Sequence, residues 1–247
     1  MLAINHLSKR FEQVQALDQV TFTIAPGELC GLLGANGAGK STLFKTLMGL
    51  LQADSGEIVI ANTTIHFGEV EYKRRIGYAP ENPVFYEYLT GLEFLNFIAA
   101  ARNNGNGAAD QIEIPRWLTF FDLMSKAGEL IKNYSHGMRR KLSLISALLG
   151  APQMLLLDEA TNGLDPETSF RFKEYLRAYC RAGGTVLFSS HIIETVEQLC
   201  DRIIILHRGR VLRELRREEW EQLRRAGSSL EQKFIALVQT PESSATV

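Results

Sequence analysis

One short glycine-rich segment constrains this chain more than any other. Residues 34–41 read GANGAGKS, which fits the pattern G-x4-G-K-[ST], and they lie between an apolar strand predicted at 29–33 and a helix predicted to begin near Gly39. Glycines let backbone N–H groups curve around phosphate groups, and the helix N-terminus adds positive potential. An ordinary glycine-rich turn with a chance lysine would not need that strand and helix. The segment therefore predicts a phosphate-binding loop.

Two side chains of this loop have predicted roles in binding a nucleoside triphosphate. Lys40 is expected to reach the outer phosphates, and the Ser41 hydroxyl is expected to bind Mg²⁺. The predicted cofactors are therefore ATP and Mg²⁺. The loop residues predicted to contact the nucleotide are Asn36, Gly37, Ala38, Gly39, Lys40, Ser41 and Thr42.

A second candidate feature is an apolar strand that ends in two carboxylates. Residues 154–159 read MLLLDE, and ligands of doubly wound sheets bind at the carboxyl ends of strands. Asp158 is predicted to hold Mg²⁺ through water, and Glu159 is predicted to accept a proton from the attacking water or to orient it. Carboxylates after a strand are usually exposed loop residues, so the phosphate loop is what favours the catalytic interpretation.

Alternation of strand and helix patterns predicts the fold. Strand candidates in the first half of the chain are residues 2–7, 20–24, 29–33, 58–60 and 76–78. Later strands alternate with helices, with strands at 154–157, 185–188 and 202–206 and helices at 167–180 and 192–199. We predict an α/β fold in which a P-loop NTPase core with a mainly parallel sheet carries an N-terminal antiparallel β subdomain.

The middle of the chain is expected to be an inserted helical lobe. Its period is helical over about residues 90–150, apart from 102–110 (RNNGNGAAD), which we interpret as a flexible loop. The helices predicted within the lobe after that loop are 117–124 and 138–149. We divide the chain into an ATPase domain at 1–215 and a charged helical extension at 216–247 that ends in a polar tail (TPESSATV).

Composition restricts the partners that the chain can have. A formal net charge of -1 and a pI of about 6.5 argue against a basic nucleic-acid surface. The sequence shows neither a secretory signal nor a stretch of ~18 apolar residues that would form a membrane helix. Cys30, Cys180 and Cys200 have no CxxC spacing, which is typical of core residues in a reducing compartment. We expect a chain that is soluble by itself and needs a second polypeptide for any membrane role.

The order and spacing of further motifs resemble those of the ATP-binding subunits of ABC transporters, over about residues 2–210. Residues 134–138 (YSHGM) stand where that family has its LSGGQ signature motif, at the start of a predicted helix. Residues 162–165 (NGLD) follow the acidic strand as the family's D-loop does. His191 resembles the switch histidine near the γ-phosphate, with a surface residue at a strand–helix junction as the alternative.

The resemblance also gives roles to two residues outside these motifs. Phe11, in a KRF context, resembles the aromatic residue that stacks on adenine, with simple core packing as the alternative. Glu81, in GYAPENP, stands at the glutamine of the family's Q-loop. A carboxylate there can still order a water on Mg²⁺, but it adds negative charge beside the phosphates.

The signature motif departs from the family pattern at two positions. His136 replaces a glycine and Met138 replaces a glutamine, whereas Ser135 and Gly137 are retained. The resemblance implies that Ser135 and Gly137 contact the γ-phosphate, and Ser135 can also act as a helix N-cap. These departures, like Glu81, resemble single-domain subunits of bacterial exporters of the drug- and bacteriocin-resistance type, which favours export.

Three cations occupy the first turn of the predicted signature helix, where the helix dipole disfavours positive charge. They are Arg139, Arg140 and Lys141. One interpretation is that they point into solvent at a cost of a few tenths of a kcal/mol each. The other is that an anion approaches them, either the nucleotide of an opposing subunit or an acidic partner surface.

The family mechanism implied by the resemblance needs two ATPase subunits, in a homodimer or a heterodimer. One chain would supply Phe11, the phosphate loop, Asp158, Glu159 and His191, and the other chain's Ser135 and Gly137 would close over the γ-phosphate. An integral membrane permease would dock near residues 81–90, which places the chain at the cytoplasmic side of the membrane as a peripheral subunit. The alternatives are a soluble ABC-type ATPase acting on ribosomes or DNA, and a nucleotide sensor that does not hydrolyse ATP. No nucleic-acid partner is expected.

Overall fold

The computed structural model describes residues 1–103 and 110–239 of the chain. The strands in these ranges are β1 (Leu2–Phe11), β2 (Val14–Ile24), β3 (Leu29–Leu33), β4 (Ser55–Ile60), β5 (Thr63–Thr64), β6 (Ile76–Ala79), β7 (Met154–Asp158), β8 (Thr185–Ser190), β9 (Arg202–His207) and β10 (Arg210–Arg216). The α-helices are α1 (Lys40–Leu47), α2 (Gly91–Asn103), α3 (Asp110–Phe120), α4 (His136–Leu148), α5 (Pro166–Arg181), α6 (Ile193–Leu199), α7 (Arg217–Arg225) and α8 (Leu230–Gln239).

The central sheet has the strand order β10-β9-β3-β8-β7-β6. Neighbouring strands from β9 to β6 are parallel, and β10 is antiparallel to β9. Every residue of β3, β7 and β8 is buried, as expected for parallel strands covered on both faces. The predicted parallel-sheet core is therefore confirmed.

A smaller antiparallel sheet has the order β2-β1-β4-β5 and confirms the predicted N-terminal β subdomain. Burial alternates along the end of β2, which gives this sheet one apolar face. That face packs on α1 in a single cluster, whose largest members include Leu2, Ile4, Val20, Phe22, Phe44 and Leu47.

The inserted helical lobe consists of α2, α3 and α4, between β6 and β7. Its interior belongs to a second cluster, with Phe94, Trp117 and Phe121 among its members. The helix predicted at 117–124 was placed too late, because α3 ends at Phe120 and the chain turns at Asp122, whose φ of 55° is left-handed. Of the predicted loop at 102–110, residues 104–109 lie outside the described residues.

The C-terminal part packs against the main body of the molecule. Trp220 of α7 and Leu230 of α8 are buried in the same cluster as the helical lobe. Two edge strands, β5 and β10, were not predicted from the sequence. The predicted polar tail at 240–247 lies outside the described residues, and the domain division at residue 215 stays a prediction. Among the helices described, none is long and apolar enough to cross a membrane.

The three cysteines are core residues, as their spacing indicated. Cys30, Cys180 and Cys200 are buried and free. Burial raises the pKa of the thiols of Cys30 and Cys200 above the ordinary value. They therefore remain protonated and unreactive near neutral pH.

Candidate active site

The phosphate loop connects β3 to α1 and depends on glycine for its backbone shape. Gly37 and Gly39 have φ angles of 79° and 108°, in the left-handed region that glycine adopts without steric cost. A Cβ atom on Gly39 would also lie 2.5 Å from the carbonyl oxygen of Ala16. A larger residue there would move the loop away from the hairpin of β1 and β2.

Lys40 joins this loop to the acidic end of β7. Its Nζ donates to the carbonyl oxygens of Gly34 at 2.6 Å and of Ala35 at 3.3 Å. The same ammonium lies 3.7 Å from Glu159 Oε1, and the two side chains are only 7% and 5% exposed. Because an unpaired buried charge is costly, each of these groups stabilises the other.

An open cleft of about 260 Å³ lies over the loop. Residues 35–42 line one part of the cleft, and the hairpin of β1 and β2 forms one side of it. The lining residues outside the loop are Val14, Gln15, Ala16, Glu81 and Glu159. The structure therefore brings the predicted phosphate-binding residues together with two of the predicted carboxylates.

The carboxylates at the end of β7 are buried and tied to β8. The Ser189 hydroxyl donates to Asp158 Oδ1 at 2.6 Å and accepts from the backbone N–H of Glu159 at 3.1 Å. Glu159 has a φ of 52°, a left-handed conformation that is costly for a residue with a side chain. Such strain persists only where the surroundings hold it, and here it turns the carboxylate toward the cleft.

Three groups surround the carboxylate of Glu159. His191 Nδ1 lies 3.0 Å from Oε1, which is also the oxygen that faces Lys40. The amide of Asn162 donates to Oε2 at 3.0 Å. Asn162 had no predicted role of its own, although its position three residues after Glu159, at a turn, is a spacing at which side chains commonly meet.

The cations of α4 have acceptors within the chain, which corrects the interpretation that they point into solvent. Arg139 makes a bidentate pair with Glu87, at 2.6 and 3.0 Å. Lys141 lies 2.7 Å from Asp165, and its hydrogen bond is the main reason that the pKa of Asp165 falls below its ordinary value. These cations do not extend freely into solvent, because acidic residues distant in sequence pair with them. The approach of an anion to them stays a prediction.

Arg140, the middle cation, is buried behind the acidic groups. It donates through Nη1 to the carbonyl oxygen of Pro80 at 2.8 Å. Burial lowers its pKa, and the carboxylates of Glu81, Asp158 and Glu159 act in the opposite direction. Positive charge on α4 thus offsets part of the negative charge gathered at the sheet edge.

The signature residues lie outside the cleft of their own chain. The exposed Ser135 caps α4, with its hydroxyl accepting from the backbone N–H of Met138 at 3.2 Å. A Cβ atom on Gly137 would lie 3.2 Å from the carbonyl oxygen of Gly163, so this helix start packs on the turn after β7. Neither Ser135 nor Gly137 lines the cleft.

Phe11 lies at the end of β1, near the cleft but not in its wall. Its side chain is 42% exposed, so it is not a core residue. Lys9 Nζ lies 5.5 Å from its ring centroid, and its cross-strand partner Val14 does line the cleft. Adenine stacking by Phe11 stays a prediction.

The donor set fits Mg²⁺ that binds together with a nucleotide. Ser41 offers a hydroxyl and Asp158 a carboxylate, and both are hard oxygen donors. In the described parts of the chain, no group of three or more His, Cys, Asp or Glu residues is arranged to hold a metal ion. Proteins usually bind Mg²⁺ through one or two side chains and the phosphates of the substrate.

Comparison with known sequences identifies related proteins. The family model described as ABC transporter matches residues 17–162. An uncharacterized ABC transporter ATP-binding protein of Bacillus subtilis (strain 168) is 38% identical over 217 residues, covering 87% of this chain and 69% of that protein. Nod factor export ATP-binding protein I of Sinorhizobium fredii (strain NBRC 101917 / NGR234) is 36% identical over 210 residues, covering 85% of this chain and 61% of that protein. This chain therefore spans about two thirds of the length of these relatives.

Comparison with solved structures identifies the same fold in ATP-binding subunits of ABC transporters. The structure of an ATP binding subunit of an ABC transporter has a TM-score of 0.88 and 32% identity, covering 97% of this chain and 100% of that one. A dimeric post-hydrolysis state of an ATP-binding cassette bound to ADP and Pi has a TM-score of 0.79 and 24% identity, covering 88% of this chain and 99% of that one. At that lower identity the likeness shows the fold alone.

Lys40→Ala tests the assignment of the phosphate loop. We expect ATP binding to be weakened about 100-fold or more, because the outer phosphates lose their buried cation. Titration with a fluorescent ATP analogue measures the affinity, and circular dichroism checks that the variant is folded. Lys45→Ala, an exposed position on the same helix, is the matched control and should bind normally. Near-normal affinity of Lys40→Ala would contradict the assignment.

Proposed function

This chain belongs to the family of ABC transporter ATP-binding proteins, and on that premise we propose that it binds and hydrolyses ATP to drive a separate integral membrane permease. The observation that carries the proposal is the meeting of Lys40, Asp158, Glu159 and His191 at one edge of the sheet. ATP hydrolysis is typical of the family. In this chain both a cation for the phosphates and a carboxylate for water face the same cleft.

The proposed roles follow from where each side chain lies. Lys40 binds the outer phosphates, and Ser41 and Asp158 hold Mg²⁺, which neutralises phosphate charge when it is bound with ATP. Glu159 accepts a proton from the attacking water or orients it. His191, whose Nδ1 is 3.0 Å from Glu159 Oε1, contacts the γ-phosphate and the attacking water.

We propose that a second ATPase subunit completes the site. Ser135 and Gly137 lie at the N-terminus of α4, outside the cleft of their own chain. A helix N-terminus favours phosphate, so in our proposal these residues act on ATP held by another chain. A protein of the same fold is dimeric in a post-hydrolysis state bound to ADP and Pi. The second subunit can be an identical chain or a different one.

The proposed docking surface for the permease lies along residues 81–90. An apolar groove of about 560 Å³ is lined there by Phe85, Tyr86, Glu87, Tyr88, Leu89 and Phe97. Phe85 is half-buried and packs on Phe94 at a centroid distance of 5.2 Å, whereas Tyr88 is 79% exposed. Aromatic residues bordered by charge are typical of protein–protein contacts. Docking of a permease at this surface would hold the chain at the cytoplasmic side of the membrane as a peripheral subunit.

Export is the proposed direction of transport. One relative of known role is the Nod factor export ATP-binding protein of Sinorhizobium fredii. The signature motif and Glu81 depart from the family pattern in ways that resemble exporter subunits. Transport assays with the permease would identify the cargo.

Glu159→Gln tests hydrolysis and dimerisation together. We expect this variant to bind ATP but to lose turnover, and to accumulate as a dimer, because the sandwich closes and cannot be released. Size-exclusion chromatography with ATP and Mg²⁺, alongside a phosphate-release assay, measures both. Glu167→Gln, on an α5 side chain that is 82% exposed, is the control. A Glu159→Gln variant that stays monomeric and turns over at the wild-type rate would refute the catalytic role.

Glu87→Lys tests the docking surface. We expect recovery of the permease from membranes to fall at least severalfold while the isolated subunit binds ATP normally, because a charge at the edge of the groove is reversed. Glu87 also pairs with Arg139, so the swap Glu87→Lys with Arg139→Glu is the control that restores the ion pair. If the double variant regains the wild-type yield of permease while Glu87→Lys does not, the loss comes from breaking the ion pair with Arg139 rather than from a direct contact between Glu87 and the permease. Wild-type recovery with Glu87→Lys would place the docking site elsewhere.

A further inference from the structure

The two oxygens of the Glu159 carboxylate have partners of different kinds. Oε1 faces His191 Nδ1 at 3.0 Å and Lys40 Nζ at 3.7 Å. Oε2 accepts a hydrogen bond from the Asn162 amide at 3.0 Å. Lys40 and His191 are the groups with proposed roles at the phosphates, whereas Asn162 has none.

Asn162 is attached to Glu159 through its backbone as well as its side chain. The backbone N–H of Asn162 donates to the carbonyl oxygen of Glu159 at 3.1 Å, which closes the turn after β7. The side chain is half-buried and is not part of the wall of the cleft. If Lys40 moves from Glu159 Oε1 to a phosphate, the backbone turn after β7 and the side-chain amide of Asn162 do not need to move with it.

A buried carboxylate that acts on water must be held in one orientation. The last torsion of a glutamate side chain is soft, with two broad minima. Hydrogen bonds to an ionised carboxylate are about twice as strong as those between neutral groups. One amide on Oε2 therefore fixes the plane of the carboxylate and leaves Oε1 to face the cleft.

We propose that Asn162 is a positioning residue for ATP hydrolysis, whose amide holds Glu159 Oε2 and thereby aims Oε1 at the attacking water. The inference rests on the proposed role of Glu159. It adds that one oxygen exchanges partners during the reaction while the other keeps its partner.

An isosteric charge change at this position separates positioning from packing. Asn162→Asp keeps the size of the side chain, removes the donor and places a second carboxylate beside Glu159. The charged groups that face or surround Glu159 are Lys40 on α1, Asp158 on β7, His191 after β8, Arg140 on α4 and Glu81 after β6. They are unchanged in the variant, so its effect reports the lost donor and the new carboxylate.

The experiment compares the isolated wild-type chain with Asn162→Ala, Asn162→Asp and Thr161→Ala at saturating ATP and Mg²⁺. We expect both Asn162 variants to lower kcat about tenfold or more, with ATP affinity within about threefold of wild type, because a hydrogen bond to a charged group is lost away from the nucleotide. We expect Asn162→Asp to lower kcat more than Asn162→Ala, because it adds repulsion beside Glu159 to the loss of the donor. Thr161→Ala is the matched control on the same turn, since the described contacts of Glu159 do not include it, and it should behave as wild type.

Three results would overturn the inference and can be told apart. If Glu159→Gln abolishes turnover while both Asn162 variants keep the wild-type kcat, Asn162 does not position Glu159. If Glu159→Gln itself keeps wild-type turnover, the proposed base is wrong and Asn162 has no base to position. A fall in kcat with an equal loss of ATP affinity in both Asn162 variants would indicate a structural role and would also overturn it.

Discussion

The parallel register of three neighbouring strands, β3, β8 and β7, positions the phosphate loop, the two carboxylates and His191. β3 pairs with β8 so that Leu33 lies opposite Ser190, and β7 pairs with β8 so that Asp158 lies opposite Ser189. The strands therefore end at one edge of the sheet, where the phosphate loop and the carboxylates emerge together. Hydrogen bonds from and to the Ser189 hydroxyl hold this register. A slip of one residue would turn Asp158 to the opposite face of the sheet.

The N-terminal half of α4 connects this edge to the surfaces that we assign to partners. Arg140 lies behind the carboxylates and donates to the carbonyl oxygen of Pro80, the residue before Glu81. Burial lowers the pKa of Arg140, although the nearby carboxylates raise it. Arg139 holds Glu87 in the groove segment, and Lys141 holds the start of α5. The helix that presents the signature residues is thus linked to both the docking segment and the turn after β7.

The sequence predicted the features that depend on local pattern and missed those that depend on tertiary contact. Continuous apolar runs located β3 and β7. The G-x4-G-K-[ST] pattern located the loop, and the two carboxylates at the end of an apolar strand located Glu159. β10 was missed because its charged residues mask an edge strand. The pairing of Arg139 with Glu87 joins residues 52 apart in the chain, which no local pattern indicates. The contact of Asn162 with Glu159 depends on a left-handed φ at Glu159, a conformation that sequence alone does not reveal.

The central claim is that one chain carries an incomplete site, and the dependence of turnover on chain concentration tests it most directly. ATPase activity per chain would be measured at saturating ATP and Mg²⁺ over a dilution series, with analytical ultracentrifugation of the same samples. We predict that activity per chain rises with concentration in parallel with the dimer fraction. Undiminished activity per chain at dilutions where only monomer sediments would contradict the claim.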